Sequence, residues 1–336
     1  TVWQTTGGQQ LGSIWGHGAL VAPDWSADWL HREAVAWLDL RAQQAYGKPY
    51  AELGAGDRAR LEAELKPDIR RNTWDGNAKT ITVPAERAQA IAEVQSHYVS
   101  LFGDAADTAA LRETYAMKNN TVDTPEHRRQ LAAFFFWTSW AAVTERTPGE
   151  ASYTNNWPYE PLVGNAPTSS NFMWTVFSVL FLIAGIGLLG WHYAVYHGKD
   201  KAPPPPATDP LRSLVLTPSM KATAKYFWVV LALFLVQIFL GATTAHYQVE
   251  GQEFYGIQLA EYLPYSLTRS WHTQLAVLWI ATAWLGTGLF IAPAISGHEP
   301  KFQRAGVNFL FVCLLIIVVG AFVGQWFAVM QKMGLA

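Results

Sequence analysis

The order of hydrophobic and polar positions divides this chain into a mixed first half and a second half built around long apolar runs. Four of these runs reach the roughly 20 residues that a helix needs to cross the hydrocarbon core of a bilayer. Tryptophan, tyrosine and phenylalanine crowd their ends, as expected of side chains at a membrane interface. The pattern therefore predicts four membrane-spanning helices, at about residues 172–197, 226–246, 271–293 and 306–330.

The more polar part, residues 1–170, has the periodicity of a mainly helical domain. A helix is expected over 24–47, from an aspartate or serine cap to a terminal glycine, and two more over 86–102 and 107–117. A fourth is expected over 124–144, where a threonine cap is followed by a proline and an apolar run too short to cross a bilayer, so this helix is expected to be either buried or resting on the membrane. We therefore predict an all-α polytopic membrane protein, with an outer domain at 1–170 and a membrane portion at 171–336. One small hairpin is also expected, in "WDGNAKTITV" (74–83), because Asp-Gly favours a tight turn.

Basic residues in the loops predict the orientation of the membrane portion. Most of its lysines and arginines lie in loops 198–225 and 297–305, whereas loop 247–270 has Arg269 against three glutamates. Because positive loops stay in the cytoplasm, loop 247–270 and the outer domain are expected outside, in the periplasm of a Gram-negative cell. The proline-rich run "KAPPPPATDP" (201–210) is then expected to be a stiff cytoplasmic linker.

Composition narrows the chemistry that the chain can support. Its 336 residues carry a formal net charge of −2, so no basic field indicates a nucleic-acid partner. A single cysteine, Cys313, excludes an intrachain disulfide, a cysteine-rich metal site and a CxxCH haem-attachment motif. Any metal is therefore expected to depend on histidine, on carboxylate or on a cofactor bound without a covalent link.

Two of the nine histidines, His246 and His272, lie at the outer ends of predicted spanning helices. Four others are in polar or loop contexts and are expected to be solvated, namely His97, His127, His197 and His298. An ionisable residue in such a position is a candidate for function, and a neutral imidazole is a good axial ligand for haem iron. His272 is the stronger candidate because a long apolar stretch follows it. The residues leave the second ligand open, since it could be His246 or a histidine outside this chain.

His246 and Glu250 are four residues apart, so a continued helix would place both on one face. A histidine and a carboxylate at the membrane edge are suited to removing protons from a hydroquinone, although an ordinary interfacial polar pair has the same spacing. Arg269 precedes His272 by three residues and could pair with a haem propionate or remain an unpaired interfacial arginine.

Seven stretches of the chain resemble the quinol-dependent nitric oxide reductases, the single-subunit bacterial relatives of the haem–copper oxidases. They follow the family's order nearly from end to end. They are "WQTTGGQQLGSIWGHGALVAPDWSADWLHREA" (3–34), "YAMKNNT" (115–121), "FFFWTSWAA" (134–142), "YTNNWPYEPLVGNAPT" (153–168), "AHYQVEGQEFYGI" (245–257), "LTRSWHTQLAVLWIATAWL" (267–285) and "KFQRAGVNFLF" (301–311).

The resemblance implies specific roles for the candidate residues. It implies that His272 is an axial ligand of a low-spin haem b, and that His246 and Glu250 belong to a quinol site. It also implies that the outer domain is a cytochrome c-like fold without haem. The complete enzyme would lie in the bacterial inner membrane and reduce two molecules of nitric oxide to nitrous oxide and water, with menaquinol or ubiquinol as the donor.

One part of the family's pattern is missing. The family reduces nitric oxide at a haem b3 beside a non-haem iron, FeB, whose ligands lie on later helices, and this sequence has no HH pair or HxH motif. The resemblance therefore implies a central portion of a longer polypeptide, without the first helix and the catalytic helices, that contacts the remaining helices, the lipid bilayer, quinol and nitric oxide. Two alternatives stay open: a self-contained cytochrome b with His246 and His272 on one haem, and a membrane sensor or assembly protein without a cofactor.

Overall fold

The computed structural model describes residues 1–146, 152, 154, 157–197, 207 and 210–334. Most of the predicted proline-rich linker lies outside the described residues.

Helices account for most of the described chain. In chain order they are α1 Val2–Thr5, α2 Trp25–Tyr46, α3 Ala55–Arg70, α4 Ala85–Leu101, α5 Ala109–Thr114, α6 Pro125–Val143, α7 Ser169–Tyr196, α8 Pro218–Ala222, α9 Ala224–Val249, α10 Tyr265–Ser296 and α11 Gln303–Val329. Two short strands, β1 Trp74–Asp75 and β2 Thr80–Ile81, pair in antiparallel fashion. The predicted fold class, a polytopic helical membrane protein, is confirmed.

Local signals in the sequence set the helix ends of the first part. Asp24 caps α2 by accepting a hydrogen bond from the backbone N–H of Ala27, and Gly47 ends that helix with a left-handed φ of 64°. Thr124 caps α6 in the same way, with Pro125 in its first turn. The helix predicted over 107–117 is shorter in the structure, where only Ala109–Thr114 is α-helical.

The predicted hairpin forms where the Asp-Gly turn places it. Trp74 pairs with Ile81, and Asp75 pairs with Thr80. The Asp75 carboxylate accepts hydrogen bonds from the backbone N–H groups of Ala78 and Asn77, and these bonds lower its pKa. The turn is therefore held by the charged form of its first residue.

An aromatic core holds the helices of the outer part together. Trp29 on α2 stacks on Tyr98 of α4 with ring centroids 5.4 Å apart, and Trp25 stacks on Phe135 of α6 at 5.6 Å. All four side chains are buried. Since α6 places nine residues in this interior, it is a packed helix of the outer part, which was one of the two positions expected for it.

Four helices among the described residues are long and apolar enough to cross a membrane. They are Ser169–Tyr196, Pro218–Val249, Tyr265–Ser296 and Gln303–Val329. Helix α10 packs against both α9 and α11, whereas no residue of α7 is buried. Most ends of these helices lie within about three residues of the predicted ends. The helices Pro218–Val249 and Tyr265–Ser296 begin several residues earlier than predicted.

The outer part rests on one end of the spanning helices. The backbone N–H of Tyr265, the first residue of α10, donates to the carbonyl oxygen of Ala116 at 3.1 Å. Gln252, in the loop after α9, donates to the Glu113 carboxylate at 2.7 Å. The outer part therefore meets the end of the bundle at which α9 finishes and α10 begins.

Candidate functional site

His272 lies on α10 and turns its ring towards α9, where Gly241 leaves room for it. A Cβ atom on Gly241 would lie 2.8 Å from Cε1 of the imidazole and 3.1 Å from Nδ1, closer than such atoms approach. The ring is half-buried. The two helices can therefore enclose this imidazole only because position 241 has no side chain.

The tautomer of His272 follows from its hydrogen bond to α9. Nδ1 lies 3.0 Å from the backbone oxygen of Gln237. Because a carbonyl oxygen only accepts, Nδ1 carries the proton, and in the neutral ring Nε2 keeps a free lone pair. Histidines that bind a metal usually hold their second nitrogen in this way. This tautomer therefore leaves Nε2 as the ring nitrogen that could bind a metal.

The side chain of Gln237 strengthens the same contact between helices. Its Nε2 donates to the backbone oxygen of His272 at 3.4 Å, and its Oε1 accepts from the Trp279 indole at 2.5 Å. A polar side chain between spanning helices is stable when its groups find such partners. Gln237 thus fixes the position of α10 at the level of His272.

The donor set fits a haem better than it fits a metal ion held by protein side chains alone. His272 offers one imidazole nitrogen, which is what a haem takes from one side. Among the described residues, no group of three or more histidine, cysteine, aspartate or glutamate side chains could hold a metal ion. His272 could therefore supply one axial position of a haem.

Arg269, one turn before His272, contacts the N-terminal segment of the chain. Its Nε donates to Oε1 of Gln10 at 3.0 Å, and its Nη1 donates to the Tyr265 hydroxyl at 3.2 Å. The guanidinium therefore lies at the junction between the outer part and α10. Its predicted pairing with a haem propionate stays a prediction.

His246 and Glu250 are brought together at the outer end of α9. Nδ1 of His246 lies 3.0 Å from Oε2 of Glu250, and the two side chains are 39% and 42% exposed. Helix α9 ends at Val249, and Glu250 caps it by donating its backbone N–H to the His246 carbonyl. The pair forms even though the helix does not continue through the carboxylate.

Aromatic residues of the following loop complete this site. The Phe254 ring stacks on the imidazole of His246, with centroids 3.9 Å apart and planes at 6°. Tyr255 presents its edge to the same imidazole and donates its hydroxyl to the Thr243 carbonyl at 3.1 Å. Burial raises the pKa of Tyr255, which keeps its hydroxyl protonated. Sequence reasoning missed Phe254 and Tyr255, although adjacent aromatics shortly after Glu250 were a usable signal.

The two candidate histidines face different surroundings. Gly241, which receives the His272 ring, precedes His246 by five residues on α9. In an α-helix five residues amount to about 7.5 Å of rise and a rotation of about 140°. His272 therefore lies between α9 and α10, whereas His246 faces the loop that carries Phe254.

His97 differs from its sequence-based prediction as a solvated residue. It is half-buried on α4, and its Nε2 atom is buried without a hydrogen-bond partner. Burial lowers the pKa of His97, with a further contribution from Arg32. It lines a cleft of about 300 Å³ together with His31 and Asp39. This position follows from the packing of α4 on α2, because the cleft lies between these two helices.

Comparison with known protein families gives two matches along the chain. Residues 1–159 match the cytochrome c-like domain of NorB, a nitric oxide reductase polypeptide. Residues 221–335 match the family described as "Cytochrome C and Quinol oxidase polypeptide I". No curated protein matched the chain. The first match implies a segment outside the cytoplasm, and the second places the chain among oxidoreductases whose members bind haem. Together, a NorB-type cytochrome c-like domain and a following oxidase polypeptide I segment support a protein of the nitric oxide reductase NorB type, related to the haem–copper oxidases.

Proposed function

We propose that this chain is the quinol-oxidising and haem b-binding part of a nitric oxide reductase in a bacterial inner membrane. Oxidation of one quinol to quinone releases two protons and two electrons, which balances the reduction of two nitric oxide molecules to nitrous oxide and water. The observation that carries this proposal is the His246–Glu250 pair, which lies against Phe254 at the outer end of a spanning helix.

Each member of the pair has a defined task in this proposal. Glu250 accepts the Nδ1 proton of His246 in a hydrogen bond and so leaves Nε2 free to accept a proton from a quinol hydroxyl. Phe254 covers one face of the imidazole and holds the ring in place. Both polar side chains are partly exposed, so the protons can pass to water on the outer side.

His272 is proposed as an axial ligand of low-spin haem b. When bound, this haem would carry single electrons from the quinol site towards the site of nitric oxide reduction. Gln237 orients the imidazole through its backbone oxygen, Gly241 makes room for it, and Arg269 is a candidate partner for a propionate. Haem b3 and FeB belong to the proposal for the complete enzyme, in which no di-iron ligand is assigned to this chain.

The rival arrangement, with His246 and His272 on one haem, requires both imidazoles to face the same iron. The rotation of about 140° between position 241 and His246 separates the two directions. His246 is also engaged by Glu250 and Phe254, which suits a substrate site better than a second axial position. These contacts favour two separate sites.

The test of the quinol site compares two electron donors in the complete enzyme. Glu250→Gln removes the charge that holds His246, so quinol-driven turnover is expected to fall by about 100-fold, the scale of general-base catalysis. Turnover with a small artificial reductant that reaches the haem directly is expected to change by less than about threefold, since that reductant needs no proton acceptor at this site.

The matched control is Glu253→Gln, which removes an exposed carboxylate from the same loop. It is expected to keep near-normal turnover with both donors. Equal loss of turnover with quinol and with the artificial reductant in Glu250→Gln would remove Glu250 from the quinol site. It would leave the family assignment unaffected.

A further inference from the structure

A basic groove lies at the other end of the spanning helices, away from the outer part. It has a volume of about 580 Å³ between the α8–α9 segment and α11. Lys221, Lys225 and Trp228 line one side, and Arg304 and Asn308 line the other. We propose that this groove binds the phosphate headgroup of an anionic phospholipid.

The spacing of these residues makes the groove a continuous strip. On α9, Lys225 and Trp228 stand at positions i and i+3, and on α11, Arg304 and Asn308 stand at i and i+4. Lys221, on the preceding α8, lines the same side of the groove. Residues with these spacings share one face of a helix. The groove therefore lies between one face of the α8–α9 segment and one face of α11, and both faces carry their basic residues at the same end.

The charge of the groove is suited to a phosphate group. Among the described residues, its lining includes three cations and no acidic side chain. Lys225 donates to Oδ1 of Asn308 at 2.5 Å, so a neutral amide and no carboxylate accepts from this ammonium group. Glu299 is engaged elsewhere, because it accepts the backbone N–H of Ser219 at the start of α8. The three positive charges are therefore not neutralised within the groove.

A polarity gradient along the groove distinguishes a lipid from a free phosphate ion. Trp228 lies three residues beyond Lys225 on α9, which is about 4.5 Å deeper along that helix, and it is 71% exposed. Tryptophan prefers the level of lipid headgroups. Beyond it both helices continue with exposed apolar side chains, namely Leu235, Phe239, Val312 and Ile316. The charged end can hold a phosphate while this apolar strip receives an acyl chain.

The binding test uses the full chain purified in a neutral detergent and titrated with phosphatidylglycerol, with native mass spectrometry to count retained lipids. Lys221→Gln combined with Arg304→Gln is expected to weaken phosphatidylglycerol binding by at least tenfold, because each basic residue at a membrane surface contributes severalfold to affinity. Lys225 is kept in this variant since it also contacts Asn308 and the Phe311 ring. A circular dichroism spectrum equal to that of the unmodified chain establishes that the variant is folded.

Three controls test whether binding is specific to this groove and to an anionic lipid. Lys301→Gln removes an exposed charge from the same end of the bundle, outside the groove, and should change binding by less than twofold. Phosphatidylcholine and inorganic phosphate should each bind at least tenfold more weakly than phosphatidylglycerol. Equal loss in Lys301→Gln, equal binding of phosphatidylcholine, displacement of the lipid by millimolar phosphate, or no retained lipid would each overturn the proposal.

Discussion

Gln237 and His272 are joined in both directions across the contact between α9 and α10. The backbone oxygen of Gln237 accepts the Nδ1–H of the imidazole at 3.0 Å, and the side-chain amide of Gln237 donates to the backbone oxygen of His272 at 3.4 Å. One residue of α9 therefore sets the tautomer of the histidine and also the position of the helix that carries it. In metal sites, a hydrogen-bond acceptor on the second ring nitrogen usually fixes the orientation of the histidine and raises its basicity as a ligand.

Gly241→Ala should displace the candidate haem ligand, His272, while its imidazole side chain stays chemically unchanged. The new Cβ would lie 2.8 Å from Cε1 of His272, so the ring must shift from the position in which it bonds to Gln237. Overpacking of this kind costs about 1–3 kcal/mol. In the complete enzyme the low-spin haem signal is expected to shift or to lose at least half its intensity in a reduced-minus-oxidised spectrum.

Gly288→Ala is the matched control for that variant. It lies on the same helix as His272, and a Cβ there would meet nothing within 4 Å. Its haem spectrum should be that of the unmodified enzyme. If Gly241→Ala gives the same spectrum as Gly288→Ala, the His272 imidazole does not pack against position 241 when the haem is bound.

His272→Ala should remove the low-spin haem b from the complete enzyme while haem b3 and FeB stay largely occupied. Alanine provides no ligand in place of the imidazole. His246→Ala should retain the haem, because that residue is assigned to quinol. For both variants, the haem content and the reduced-minus-oxidised spectrum are measured. Loss of the low-spin signal in His246→Ala would favour the two-histidine cytochrome, and its survival in both variants would refute the assignment of His272.

His97 should make the outer part sensitive to acid. Its pKa is lowered in the folded state, so below about pH 6.5 the unfolded chain binds more protons than the folded chain does. Stability contributed by the neutral ring is therefore present above that pH and is lost as the pH falls. His97→Leu should show a smaller drop in thermal unfolding temperature from pH 7 to pH 5.

The comparison for His97 is made in one detergent by near-ultraviolet circular dichroism, which reports on the packed aromatic side chains. Unfolding at pH 8, where the ring is neutral in both states, gives the effect of the substitution on packing alone. If the unfolding temperature falls equally from pH 7 to pH 5 in His97→Leu and in the unmodified chain, after correction for the difference at pH 8, His97 does not cause the acid sensitivity.

The predicted orientation can be tested with single cysteines in a chain in which Cys313 is replaced by serine. A cysteine at Ala207, an exposed residue in the loop between α7 and α8, should resist an impermeant thiol reagent in intact cells and react after permeabilisation. A cysteine at Ala78, in the exposed hairpin turn, should react at once. Rapid labelling at Ala207 in intact cells would reverse the orientation.

The sequence by itself determined the features that depend on local patterns. Apolar length located the four spanning helices, because a bilayer of fixed thickness requires about 20 apolar residues. Caps such as Asp24 and Thr124 located helix ends, because their side chains bond to backbone groups only two or three residues away. The spacing of His246 and Glu250 likewise predicted that these two side chains lie together.

Only the tertiary structure decided what each candidate residue contacts. The space at Gly241 and the hydrogen bond from His272 to Gln237 bring together residues that are distant in the chain. The Phe254 ring reaches His246 because the irregular loop after α9 folds back onto that residue. His97 is half-buried for the same reason, since it lies at a cleft between α4 and α2, which come from different parts of the chain. Helical periodicity fixes which residues share a face, but the packing of one helix on another determines what that face meets.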